Sequence, residues 1–267
     1  MMAHEIDYKI IGSEMQAVEI ELDPQESVVA ESGAMMSMKA DIKMATVFGD
    51  GSHEEENKGF FGKMVGAGKR LLTGESLFMT IFTHHGAGKS HVTFAAPYPG
   101  KIIPIDLKEF GGKLICQKDA FLCAAKGVSV GIEFQRKLGT GFFGGEGFIM
   151  QKLEGDGMAF IHAGGSIIEH KLQAGEVLKV DTGCLVALTQ NVNYEIEFVG
   201  GIKNTIFGGE GLFFMKVTGP GTVYLQTLPF SRLASRIFEH APQAGGHRKG
   251  EGSVLGSIGG LINGDNF

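Results

Sequence analysis

The chain reads as an all-β protein, and three observations carry that reading. Short apolar runs alternate with glycine, and the 267 residues hold 42 glycines and no tryptophan. Such glycine usage without a collagen period fits many short strands and tight turns. A Phe-Gly-Gly-Glu-Gly segment appears at Phe143-Gly144-Gly145-Glu146-Gly147 and again at Phe207-Gly208-Gly209-Glu210-Gly211. A worn copy stands at Leu72-Thr73-Gly74-Glu75-Ser76-Leu77.

The similarity extends past the Gly-Glu pair. Each copy leads into an apolar run, at Leu77 to Phe82, Phe148 to Leu153 and Leu212 to Val217. Each run meets a glycine turn, Gly86-Ala87-Gly88, Gly155-Asp156-Gly157 or Gly219-Pro220-Gly221. A second apolar run follows, at Val92 to Ala96, Met158 to Ala163 and Thr222 to Gln226. Strand, glycine turn and strand predict three β-hairpins. Upstream, Leu22-Asp23-Pro24-Gln25-Glu26 and Leu172-Gln173-Ala174-Gly175-Glu176 start matching stretches, each reaching a glycine eleven residues on, at Gly33 and Gly183. The middle counterpart, from Leu107 to Ala120-Phe121, reaches Ala120 in thirteen residues, two more than the others, and lacks the glycine. Gly74 and Gly145 are 71 residues apart, and Gly145 and Gly209 are 64 apart. That period is too long for a solenoid unit and suits a small β module used three times. The predicted architecture is three β-sandwich modules around a pseudo-threefold axis.

In chain order, residues 4–22 alternate apolar and polar and open the first module. Val28 to Met38 continues it, with Met35, Met36 and Met38 expected in the core. Residues 49–70 form an insertion, with Glu54-Glu55-Glu56 in its polar half and Phe60-Phe61 in its glycine- and cation-rich half. A packed loop is the favoured reading there. A short helix touching a partner or a membrane surface is the competing one. The modules divide near residues 1–100, 101–166 and 167–230, without long linkers, and should pack as one body over 1–242. Ser231 to Phe238 is the best helix candidate, with Ser231 as its cap and apolar residues spaced by four. Residues 243–267 read as a glycine-rich flexible tail.

A formal charge of −6 argues against a nucleic-acid surface. No run of eighteen apolar residues predicts a membrane helix. The opening Met1-Met2-Ala3-His4-Glu5 lacks a basic-then-apolar signal, so a cytoplasmic protein is expected. Cys116, Cys123 and Cys184 lie in apolar runs and read as buried free thiols.

Little of the sequence looks catalytic. Gly139-Thr140-Gly141-Phe142-Phe143-Gly144 spells a dinucleotide fingerprint, but a strand pattern follows where the motif needs a helix. Gly88-Lys89-Ser90 lacks the upstream glycine and the helix of a phosphate-binding loop. His84, His85 and His91 lack a fourth ligand at metal spacing and read as an exposed hairpin tip. No Gly-x-Ser-x-Gly or convincing Cys-His pair appears. The triplicated Glu75, Glu146 and Glu210 form a candidate axial ligand or cation site. The simpler reading has each carboxylate accepting backbone N–H groups in its own bend. No cofactor and no metal are expected.

The three modules, the Phe-Gly-Gly-Glu-Gly copies, Thr182-Gly183-Cys184-Leu185-Val186-Ala187 and Gly219-Pro220-Gly221-Thr222-Val223-Tyr224-Leu225-Gln226 resemble a bacterial family related to the mitochondrial biogenesis proteins of the altered-inheritance-of-mitochondria (Aim) type. The resemblance runs from about residue 5 to 238. It implies a fold like the Trp RNA-binding attenuation protein, with modules of double-stranded β-helix type and assembly into trimers. It implies no activity. RNA binding does not follow from a shared fold. Apolar faces, with Phe60-Phe61, Phe142-Phe143 and Phe213-Phe214 among them, also need cover. The functional expectation is a non-catalytic homotrimer that binds a protein or membrane-surface partner. A small-ligand or cation binder using the three glutamates is the alternative, and an unrecognised hydrolase the third.

Overall fold

The computed structural model describes residues 2–48, 78–136, 148–198 and 213–241. β1 (Asp7–Ile11) opens the chain. Six strands follow, β2 (Ala17–Leu22), β3 (Ser27–Glu31), β4 (Met35–Met38), β5 (Ile42–Phe48), β6 (Phe78–His84) and β7 (Ser90–Ala95). Then come β8 (Gly100–Asp106), β9 (Lys113–Gln117), β10 (Phe121–Ala125), β11 (Ser129–Arg136), β12 (Phe148–Glu154) and β13 (Met158–Gly164). The series ends with β14 (Ile167–Leu172), β15 (Val177–Asp181), β16 (Leu185–Thr189), β17 (Asn193–Phe198), β18 (Phe213–Thr218) and β19 (Gly221–Gln226), before the helix α1 (Phe230–His240). All strands belong to one compact unit, Met1–Phe230, and a second unit begins at Ser231.

The strands form four antiparallel sheets, ordered β1-β2-β7-β4, β5-β6-β3-β10-β13-β8, β11-β12-β9-β16-β19-β14 and β15-β18-β17. Adding six to every strand number in the second sheet produces the third. The first sheet carries one half of that order, β2-β7-β4, and the fourth carries the other, β15-β18-β17. Irregularities keep the same step. A bulge falls between Met35 and Ser37, between Phe121 and Cys123, and between Leu185 and Ala187.

Three cores fill the spaces between successive sheets. Val18, Ile20 and Leu22 of the first sheet meet Val28, Phe82 and Phe160 of the second. Val29 and Phe121 of the second meet Leu114 and Val186 of the third. Ile115 and Leu185 of the third meet Met215 and Val217 of the fourth. The second and third sheets therefore have a core on each face, and their inner strands β3, β10 and β16 read as near-continuous apolar runs. In β10, Phe121 and Ala124 face one core while Leu122, Cys123 and Ala125 face the other. The outer β2 alternates instead, with Val18, Ile20 and Leu22 buried and Glu19 and Glu21 turned outward.

The eleven-residue stretches found in the sequence are matching turns. Gln25 and Gly175 take left-handed φ of 70° and 79°. The carboxylates of Glu26 and Glu176 accept the N–H groups of Asp23 and Gln173 at 2.9 and 2.8 Å. The longer middle copy makes a short 3-10 turn, Leu107–Phe110, capped by the Asp106 side chain and ended by Gly111 at φ 69°.

The expected hairpins are corrected. β6 and β7 flank a glycine turn but lie in the second and first sheets, and β12 and β13 lie in the third and second. β18 and β19 likewise part into the fourth and third. Each glycine turn is an arch that carries the chain across a core. Glycine is needed there because neighbours crowd it: a Cβ on Gly219 would sit 2.3 Å from the Gln173 carbonyl oxygen, and one on Gly157 would sit 2.5 Å from the Ala3 Cβ. The true neighbours are β5 with β6, β11 with β12 and β17 with β18. The helix forms as predicted but starts at Phe230, so Ser231 lies in its first turn. Among the described residues no helix is long and apolar enough to cross a membrane.

Candidate functional site

Glu75, Glu146 and Glu210 lie outside the described residues, as do the insertion 49–70 and the tail 243–267. Each glutamate belongs to the connection between two paired strands, β5–β6, β11–β12 or β17–β18. The three connections hold the same place in the six-strand order.

The histidine cluster differs from expectation. His84 is not at an exposed tip. It closes β6 with its side chain fully buried, and its Nε2 lies 3.1 Å from Asp41 Oδ2. Ser90 donates its hydroxyl to Asp41 Oδ1 at 2.6 Å. These hydrogen bonds hold the Asp41 carboxyl below its usual range, with the one from Ser90 largest. The set contains serine, histidine and aspartate, but the carboxylate stands between the other two. A nucleophilic serine needs the imidazole as its immediate base, so this arrangement ties a turn together instead. His91 bonds Glu21 at 3.1 Å on the exposed face of the first sheet, where Lys89 also pairs with Glu21. Among the described residues no three His, Cys, Asp or Glu side chains gather as a metal site.

A second polar pair lies on β19 and β13, in the third and second sheets. Gln226 ends β19, accepts the Gly164 N–H at 2.8 Å and donates to the Gly183 carbonyl at 2.8 Å. Its counterpart six strands earlier is His162, 2% exposed. His162 bonds the backbone of Asp119 and Tyr98, and the Tyr98 ring meets it edge-on at 4.2 Å. Burial lowers the imidazole to about 4, and its Nε2 has no partner. Glu31, at the end of β3, is raised to about 7 by burial and then by the nearby Asp119 charge, against the pull of Lys118. Burial pushes the Cys116 thiol up to about 12 and raises Cys123 as well. Such thiols are poor nucleophiles, and their burial matches the sequence reading for these two. Cys184 is half-buried. The sequence analysis missed His162 and Gln226. The available signal was that both stand five residues after a turn glycine, Gly157 or Gly221, as polar residues in apolar runs.

The third feature is an interruption of the sheets. β3 is paired on both sides, to β6 and β10, and β9 to β12 and β16. Among the described residues β15, next in that series, pairs only with β18. β10 and β16 are likewise paired on both sides, while among the described residues β4 pairs only with β7. The methionines expected in the core lie on this open edge. Met36 is 60% exposed and Met38 38%, whereas Leu122 and Val186, at the same bulge position, are each 1% exposed. Met35 is half-buried. Phe213 and Phe214, on β18, are also half-buried.

An all-β protein of stacked antiparallel sheets, without an assembled catalytic set among its described residues, is the class this geometry defines. The model of the family described as mitochondrial biogenesis AIM24 matches residues 8–228, and the chain belongs to that family. It is similar to an uncharacterized protein of Streptococcus pyogenes serotype M6, 31% identical over 229 residues that span 84% of this chain and 86% of the relative. It also resembles a crystal structure of a Streptococcus pyogenes protein from a structural-genomics programme. That likeness has a TM-score of 0.70 and 24% identity, covering 89% of this chain and all of the other. It speaks for the fold alone.

Proposed function

We propose that the protein is a non-catalytic oligomeric interaction protein, a trimer of chains that each carry three related β modules. The observation that carries this reading is a strand order that advances in steps of six and, among the described residues, ends with β4 and β15 open at its two ends. Open edges invite further pairing, and stable proteins cover them. The polar groups point the same way, since His84 and His162 are locked inside the fold and serve packing. The cytoplasm is the proposed location, and a protein or membrane surface the proposed partner. The insertion 49–70 and the tail 243–267 are the segments that break the module pattern, and partner contact is assigned to them.

A second reading makes Glu75, Glu146 and Glu210 a ligand or cation site. It is favoured by the equivalent positions of the three connections that hold them. One comparison separates the two. Chains lacking 49–70 or 243–267, and a chain with all three glutamates changed to Gln, are used to capture partners under identical conditions. The interaction reading expects a partner captured by the intact chain to be lost with a deletion and kept by the Gln variant. Loss in the folded Gln variant alone would move the function to the glutamates.

A further inference from the structure

We propose that α1 is a membrane contact, an amphipathic helix whose apolar row enters the interface of an anionic lipid surface. This rests on the interaction reading above and chooses a membrane as the partner of this segment. Phe230, Leu233, Ala234, Ile237 and Phe238 stand at positions i, i+3, i+4, i+7 and i+8 of the helix, so they share one face. In a globular protein such a face normally packs on the core. Here no residue of the helix is buried. Phe230 stacks on Tyr98 with ring centroids 5.2 Å apart, and Leu233 and Ala234 are half-buried. Ile237 and Phe238 are 62% and 74% exposed. The apolar face thus opens toward the end of the helix.

Charge decides what covers it. Arg232, Arg236 and His240 stand four residues apart along one flank of the apolar face. Glu239, 3.4 Å from Arg236, is the one acid of the helix. Arg248 and Lys249 follow in the sequence. Residues 230–250 hold four Arg and Lys and one Glu, whereas residues 1–229 hold 20 Lys and Arg and 27 Asp and Glu. An anionic surface therefore attracts this segment and repels the remainder of the chain. Helices that lie in a membrane interface have this make-up, with apolar side chains at the acyl boundary and cations among the headgroups. Arginine suits the flank because its stem covers apolar surface while the guanidinium stays in water. A helix of eleven residues is also marginal by itself in water, so burying its apolar face would steady it.

Vesicle flotation of the full-length chain tests the contact. One vesicle contains phosphatidylglycerol and phosphatidylcholine in equal parts, the other phosphatidylcholine alone. The chain has no tryptophan, so Phe238→Trp places a single reporter on the exposed row. Flotation with the anionic vesicle only is expected, weakened by salt, with a blue shift of the reporter's emission. Ile237→Ser with Phe238→Ser, and Arg232→Gln with Arg236→Gln, should each lower the bound fraction at least about tenfold. All four positions are exposed, and an unchanged thermal midpoint shows that the fold is kept. Equal binding by the serine variant, or flotation without a blue shift, would overturn the role of α1 and leave a membrane partner elsewhere on the chain. Equal flotation with both vesicles would overturn the assignment to anionic lipid. No flotation at all would overturn the membrane contact, and a concentration-dependent blue shift without vesicles would then give the row to a second copy. The interaction reading itself stands or falls separately, on the partner capture described above.

Discussion

Leu122, Val186 and Met36 occupy one bulge position at three points of the strand series, yet two are sealed and the third is 60% exposed. The difference lies in what faces them. Leu122 looks onto the first sheet and Val186 onto the second, while Met36, on the first sheet, has no earlier sheet to look onto. Burial in this protein is thus decided by whether a sheet face has another sheet against it. An apolar side chain on an unflanked edge marks the place where a partner belongs.

The largest effect comes from placing a charge at that position. Leu122→Glu or Val186→Glu buries an unpaired carboxylate, which costs several kcal/mol and should prevent folding. Leu122→Ala should cost about 2–5 kcal/mol by leaving a cavity. Met36→Glu should leave the single chain folded, within about 0.5 kcal/mol, as surface substitutions usually do. Denaturant melts of the variants at low protein concentration check the contrast, and equal losses at all three positions would break it.

The Asp41 cluster ties the residue before β5 to the end of β6 and the start of β7. Asp41→Ala removes the acceptor from both Ser90 and the buried His84, and a lower unfolding midpoint is expected. Thermal unfolding reads it, and an unchanged midpoint would show that the cluster contributes nothing.

Smaller still is a pH effect from Glu31 and His162. Glu31 is raised from 4.5 to about 7 in the fold. The unfolded chain therefore releases this proton first, and the group's contribution falls as pH rises from 4.5 to 7. His162 is lowered from 6.5 to about 4. The unfolded chain takes up that proton first, so its contribution is lost as pH falls from 6.5 to 4. The two slopes oppose each other between pH 4.5 and 6.5. Glu31→Gln should leave stability rising from pH 4 to 6.5. His162→Gln, which installs the residue found at 226, should leave it falling from 4.5 to 7. Urea melts across pH 4–8 test both, and identical profiles for the two variants would refute the assignment.

Much of the fold was legible in the sequence. The apolar runs, the glycine turns and the matching stretches at Leu22 and Leu172 all fall on strands and turns of the same kind. Strand partners were not legible. A glycine turn between two apolar runs looks alike whether the runs pair or part into facing sheets, and at Gly155 and Gly219 they part. Met36 and Met38 read as core because apolar character cannot report a missing neighbour. His84 read as exposed because its partner Asp41 is 43 residues away in sequence. The repeated glutamates were the most visible feature and lie outside the described residues, so the candidate site drawn from them stays a proposal. The polar groups within the described residues, His162 with Gln226 and Asp41 with His84, are single residues whose meaning depends on what the fold brings beside them.

The central claim is that the open edges are where copies meet. Light scattering on the intact chain and on Met36→Glu at the same micromolar concentration tests it most directly. The account predicts a trimer for the intact chain and a folded monomer near 28.5 kDa for the variant. An intact chain that scatters as a 28.5 kDa monomer, or a variant that keeps the full assembly, would contradict it.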